Sequence, residues 1–98
     1  MTFNQFEASL TGGAGAEPPA ELSPYLVALW HDARGDWTTA HEIVQDLHTQ
    51  TAARVHAYIH RKEGDESNAR YWYGTAGTTF PGRQSLEEEW RGLVEEFL

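Results

Sequence analysis

The sequence predicts an all-α fold, built as two helical hairpins with a C-terminal capping helix and an irregular N-terminal arm. Apolar residues recur at the three- and four-residue spacing of helices, and no run alternates with the period of two that a strand requires. Residues 26–44 and 55–73 also match each other at an offset of 29 residues, with five of 19 positions identical. Background composition gives about one match. Self-similarity at a fixed period is typical of helical repeats.

Residues 1–21 are predicted to form an arm and a linker. Phe3, Phe6 and Leu10 share one side of a short helical turn, whereas residues 11–19 are too rich in glycine and proline for regular structure. We expect the two phenylalanines to dock on the remainder of the chain. Residues 22–98 form the helical repeat domain, so the chain is a single domain overall.

The first hairpin is predicted to begin at Ser23 and Pro24, because serine caps a helix and proline fits its first turn. Gly35 ends the first helix by adopting the left-handed conformation, and Asp36 caps the second helix. The predicted apolar positions of the two helices are Leu22, Leu26, Leu29, Trp30, Ala33, Ala40, Ile43, Val44 and Leu47.

The second hairpin repeats this pattern. Thr49 or Thr51 opens its first helix, Gly64 ends that helix, and Asp65 caps the next, which ends at Gly77. The predicted inward positions are Ala52, Val55, Ile59, Ala69, Trp72, Tyr73 and Ala76.

A last helix follows the turn at residues 80–82. Ser85 and Glu88 have the spacing of a capping box, in which each side chain bonds the backbone N–H of the other end of the first turn. The residues that share one face of this helix are Leu86, Trp90, Leu93, Val94 and Phe97.

The two hairpins resemble the tetratricopeptide repeat, which has a small residue in the first helix, a Gly-Asp turn and a small residue early in the second helix. The matching positions are Ala28, Gly35, Asp36 and Ala40 in the first hairpin, and Ala57, Gly64, Asp65 and Ala69 in the second. Two features differ from the family: the spacing is 29 residues where the family has 34, and there are two units where stacked repeats have three or more. The chain also resembles small bacterial proteins.

The resemblance implies a concave groove that binds a peptide or protein along the first helix of each hairpin. The groove residues that it implies are Tyr25, Leu29, Arg54, Tyr58, Arg61 and Lys62. The last four of these lie on one helical face. Guanidinium and ammonium groups beside a phenol suit a carboxylate or phosphate, so the expected ligand carries an acidic group. The alternative is a solvated face paired to the chain's own acids, which surface charge runs usually are.

Two further alternatives remain open from the sequence. His56 and His60 have the i, i+4 spacing that can hold a divalent metal, with a third ligand from His31, His41 or an acid. A helical metal- or small-molecule-binding protein is therefore the second hypothesis, against imidazoles packed between helices. The third is a homodimer whose groove is filled by its second copy.

Composition narrows the function classes. A net charge of −8 argues against nucleic-acid binding, which needs a basic footprint. There is no apolar run long enough to cross a bilayer, no secretory signal and no cysteine, which fits a cytoplasmic protein without a membrane partner. Neither a nucleophile in a strained glycine-flanked turn nor a phosphate-binding glycine loop occurs, so we expect no enzyme and no cofactor beyond a possible divalent metal.

Overall fold

A computed structural model describes all residues from 1 to 98, and it contains six helices and no strand. The all-α prediction is therefore confirmed. The helices are α1 (Phe3–Ser9), α2 (Pro24–Ala33), α3 (Trp37–Gln45), α4 (Gln50–Glu63), α5 (Glu66–Ala76) and α6 (Leu86–Phe97).

Each hairpin begins and turns at the residues that the sequence predicts. Ser23 caps α2, and Thr49, rather than Thr51, caps α4. Between the two helices of each hairpin, Gly35 (φ +83°) and Gly64 (φ +90°) adopt the left-handed conformation, which glycine reaches without the steric cost of a Cβ. The aspartate after each glycine then caps the next helix.

The alanines that match between the two hairpins lie in the core. Ala28, Ala40, Ala57 and Ala69 are all fully buried. α2 packs on α3 and α4 on α5, and α4 also contacts α2 and α3, so it is the central helix of the fold. A methyl side chain at each of these positions lets the backbones approach without a clash.

The N-terminal arm is more ordered than predicted. Residues 3–9 form α1, which begins at a capping box made by Thr2 and Gln5. Phe6 is fully buried and the ring of Phe3 packs against Trp90 at 5.9 Å, so the expected docking of both phenylalanines is confirmed. The linker is held by Arg34, whose guanidinium donates to the backbone carbonyls of Leu10, Gly12 and Gly13. The prediction of an irregular arm is wrong for α1, because it missed that capping box.

The last helix, α6, packs against α2 and α4. Its Trp90 donates from Nε1 to the carbonyl of Leu29 at 3.2 Å. Two sequence predictions need correction in the first hairpin. Ala33 is exposed at the end of α2, and α3 ends at Gln45, so Leu47 falls in the connection to α4.

Candidate functional site

The basic face predicted on α4 points toward α6, and the acids of α6 pair with it. Arg54 bonds Glu96, and Nη1 of Arg61 lies 2.8 Å from Oε1 of Glu89. The second pair is nearly buried, and Oε2 of Glu89 also accepts a 2.6 Å hydrogen bond from the hydroxyl of Tyr73. The acidic group that these two arginines were expected to bind is thus supplied by the chain itself.

The apolar residues of the predicted groove are covered in the same way. Leu29 is fully buried and Tyr58 is 2% exposed. The ring of Tyr25 lies 6.0 Å from the ring of Phe97 in α6. These three side chains do lie together, but α6 occupies the surface on which a peptide was expected.

The last groove residue, Lys62, pairs with a buried acid. Its Nζ lies 3.1 Å from Oδ1 of Asp32, which is 2% exposed. All four polar groove residues on α4 are therefore either buried or paired within the chain.

A different cluster forms on another side of α4, where three imidazoles meet. The ring centroids of His41 and His56 are 4.8 Å apart, those of His56 and His60 are 4.8 Å apart, and those of His41 and His60 are 5.2 Å apart. One ring nitrogen from each residue lies within 4.8 Å of the other two. We call these three residues the histidine cluster.

The fold brings this cluster together from two hairpins. His56 and His60 lie one turn apart on α4, and His41 comes from α3, which packs against α4. The sequence named His31 and His41 as alternative third ligands. The structure places His41 in the cluster, whereas the ring of His31 packs against the edge of Trp30.

Two tryptophans stack on the cluster from either end. The ring of Trp37 lies parallel to His41 at 4.8 Å, and the ring of Trp72 lies parallel to His56 at 3.9 Å. The indole Nε1 of Trp37 donates to the carbonyl of Ile59 at 2.8 Å, which fixes Trp37 on α4. These contacts restrict the orientation of both imidazoles.

The tautomer of His60 follows from its hydrogen bond. Its Nδ1 lies 2.8 Å from Oε1 of Glu63. A carboxylate only accepts, so Nδ1 carries the proton, and the Nε2 lone pair of a neutral His60 ring is free. A carboxylate behind a histidine is the arrangement that orients metal-binding imidazoles in proteins.

Electrostatics keep the other two imidazoles neutral. Burial, together with the neighbouring His60 and His41, lowers the pKa of His56 to about 4. Burial also lowers the pKa of His41, and His60 adds to this effect. Near neutral pH both rings are uncharged, which is the form that binds a metal ion.

The ring nitrogens of His41 and His56 have no hydrogen-bond partner within the chain. Only one buried side-chain polar atom in the structure lacks a partner, and it is Oδ2 of Asp32. The nitrogens of these two histidines are therefore not sealed from solvent, and an ion can reach them.

Comparison of the chain with protein-family models, with curated proteins and with solved structures gives no match in any of the three. No helix has the length and apolar character that a membrane crossing requires.

Proposed function

We propose that this protein binds a divalent transition-metal ion through His41, His56 and His60. The observation that carries the proposal is the convergence of three imidazoles whose nitrogens lie within 4.8 Å of one another. Two of these rings lack any partner in the chain, and the third has its Nδ1–H held by Glu63. The chain supplies no hydrogen-bond partner to the ring nitrogens of His41 and His56, and these nitrogens are open to solvent, so their lone pairs are available to an ion.

The distances fit a site that closes around its ion. Zinc binds imidazole nitrogen at about 2.0–2.1 Å, so two ligands of a tetrahedral site lie about 3.3 Å apart. The nitrogens of the histidine cluster lie within 4.8 Å of one another, so they need to approach by about 1.5 Å at most, through rotation about χ1 and χ2. The parallel tryptophans limit that rotation and favour a single arrangement.

The donor set favours particular metals. Imidazole nitrogen suits Zn²⁺, Cu²⁺, Ni²⁺ and Fe²⁺, whereas thiolates, which select Cu⁺, are missing because the chain has no cysteine. Three protein ligands also leave at least one coordination position for water or a small ligand. His41 is the least buried of the three, so this position faces solvent on its side.

The test is a titration of tag-free protein with Zn²⁺, Ni²⁺ and Cu²⁺, followed by calorimetry and by the melting temperature. A metal that binds only the folded state at 100 times its Kd adds about 2.7 kcal/mol of stability. We expect His41→Gln to abolish most of this gain, since His41 is partly exposed and its loss leaves the fold intact. Glu63→Gln should weaken binding about 10- to 100-fold by releasing His60.

Two histidines outside the cluster provide matched controls. His31→Gln and His48→Gln remove an imidazole but leave the three proposed ligands in place, so both should bind metal as the parent does. Equal loss of affinity in His48→Gln and His41→Gln would show that binding is adventitious. No stabilisation by any of the three ions would reject the proposal.

A separate proposal is that the two hairpins are tetratricopeptide-like repeats. Its support is the burial of the paired alanines and the left-handed glycine in each hairpin turn. In this arrangement α6 lies over the side of α2 and α4 that would form the groove. A peptide ligand would therefore have to displace α6, which makes peptide binding the less favoured function.

A further inference from the structure

A second cavity lies beside Tyr58 and Lys62 of α4. It is a cleft of about 350 Å³ between α1, α2, α4 and α6. Its lining residues come from four helices that are distant in sequence, and they are Glu7, Leu10, Asp32, Ala33, Tyr58, Lys62, Leu86, Glu87 and Trp90. None of these belongs to the histidine cluster.

One wall of the cleft holds the carboxylate of Asp32, and the chain provides a hydrogen-bond partner to only one of its two oxygens. Oδ1 of Asp32 is paired with Lys62, but Oδ2 is buried and lacks a hydrogen-bond partner. The hydroxyl of Tyr58 lies near this carboxylate. Burial raises the pKa of Asp32, and Lys62 together with the hydroxyl of Tyr58 offsets this only in part. A buried acceptor without a partner is costly, so a group that brings positive charge to the cleft would stabilise it.

The net charge of the residues that line the cleft also favours a cation. Three carboxylates line it, on Asp32, Glu7 and Glu87, against the single ammonium of Lys62, which leaves an excess of two negative charges. Arg91 lies near Glu7, but its guanidinium is bonded to Glu95 at 2.7 Å. The cleft therefore attracts cations and repels anions.

The remaining walls are apolar and aromatic. Leu10, Leu86 and the indole of Trp90 face the same volume as the carboxylates. Trp90 is held by its hydrogen bond to Leu29, so this wall is rigid. A site with few polar groups on an apolar lining is the usual form of a small-molecule pocket, and an indole also attracts cations through its π face.

We propose that this cleft binds a small organic cation, in which an ammonium group is attached to an apolar body. The ammonium offsets the carboxylates of Asp32, Glu7 and Glu87, and the apolar body packs against Leu10, Leu86 and Trp90. The proposal is independent of the metal site, because the two share no side chain.

The test compares three probes of similar shape and different charge by calorimetry: 2-phenylethylammonium, 2-phenylethanol and phenylacetate. We expect the ammonium to bind with a Kd of about 0.1–1 mM, the alcohol about tenfold more weakly and the acid not at all. Equal affinity for the ammonium and the alcohol, or no binding of the ammonium, would overturn the proposal.

Two variants place the binding in this cleft. Glu87→Gln removes an exposed charge from the rim without touching the core, and it should weaken binding of the ammonium about three- to tenfold. Glu42→Gln, an equally conservative change on α3 outside the cleft, should leave the Kd unchanged. Equal effects of the two variants would show that the cation responds only to the net charge of the protein, and would reject the site.

Discussion

Two sides of the central helix α4 differ in how their polar side chains are satisfied. On the side that meets α6, Arg54 and Arg61 bond acids of that helix, and Glu89 also accepts from a tyrosine. On the side that meets α3, His41 and His56 have no partner in the chain and His60 has one. On the first side the chain supplies a partner to each arginine. On the second side it supplies none to the ring nitrogens of His41 and His56.

This difference separates structural polar groups from candidate ligands. A polar group whose partners are all supplied by the chain is explained by folding alone. The chemical type of a side chain is a weaker guide, since Arg61 has the right chemistry for an acidic ligand and yet serves α6. The ring nitrogens of His41 and His56 receive no partner from the chain and are open to solvent, which makes them candidate ligands. The comparison predicts that breaking the buried ion pair on the α6 side destabilises the protein, whereas changing the histidine side alters its response to metal and to pH.

The largest expected effect is that of Arg61→Ala. The guanidinium is nearly buried against Glu89, so its removal leaves a buried carboxylate without its countercharge. Such a loss costs about 3–5 kcal/mol. Urea unfolding measures it as a lower midpoint with an unchanged slope.

A double variant tests whether the loss of stability arises from the unpaired carboxylate of Glu89. Arg61→Met with Glu89→Gln removes both charges and leaves an amide oxygen to accept from Tyr73. We expect it to be more stable than Arg61→Ala alone. A loss of less than about 1 kcal/mol in Arg61→Ala would contradict the distinction drawn between the two sides, because it would place this pair among exposed ones.

The second expected effect is a loss of stability in acid, caused by the histidine cluster. His56 has a pKa of about 4 in the folded protein against 6.5 in the unfolded chain. Above pH 6.5 both states hold a neutral ring and stability is full; as pH falls from 6.5 to 4 the unfolded state binds more protons and stability is lost. The contribution of this residue is on the order of 3 kcal/mol, measured on metal-free protein with a chelator present.

His56→Phe isolates the effect, because phenylalanine keeps the stacking on Trp72 and cannot be protonated. The difference in unfolding free energy between parent and variant should change between pH 6.5 and 4 and be flat above. A flat difference curve for His56→Phe would mean that the imidazole is charged or fully hydrated in the fold.

Local signals in the sequence explain how much of the fold could be predicted. Glycine in a turn, serine or threonine before a helix, and aspartate after glycine each act within a few residues, so the bounds of the hairpins follow from them. For α1 the sequence predicted only a short helical turn, and its regular start was missed although Thr2 and Gln5 carry the spacing of a capping box. The end of α3 at Gln45 was also missed, because Leu47 continued the apolar period beyond the last helical residue.

The candidate sites depend on contacts that no local signal shows. The spacing of Arg54 and Arg61 places them on one face, but their partners lie 42 and 28 residues away in α6. The pair of His56 and His60 could be read from its spacing, whereas the choice of His41 over His31 required the packing of α3 on α4. The cleft at Asp32 is built from four helices and has no signature in any one of them.

The smallest expected effect is that of Arg54→Ala, on the same face as Arg61 and also paired to α6. Its pair with Glu96 is exposed, at 31% and 54% of the two side chains, so solvent screens the attraction and the loss should be below about 1 kcal/mol. A double-mutant cycle with Glu96→Ala measures the coupling, which should fall further in about 1 M salt, where the screening length is about 3 Å. Coupling as large as that of Arg61 with Glu89, or independent of salt, would show that burial does not decide the strength of these pairs. Arg54 and Arg61 differ mainly in burial, so this pair of variants measures what covering an arginine with α6 contributes.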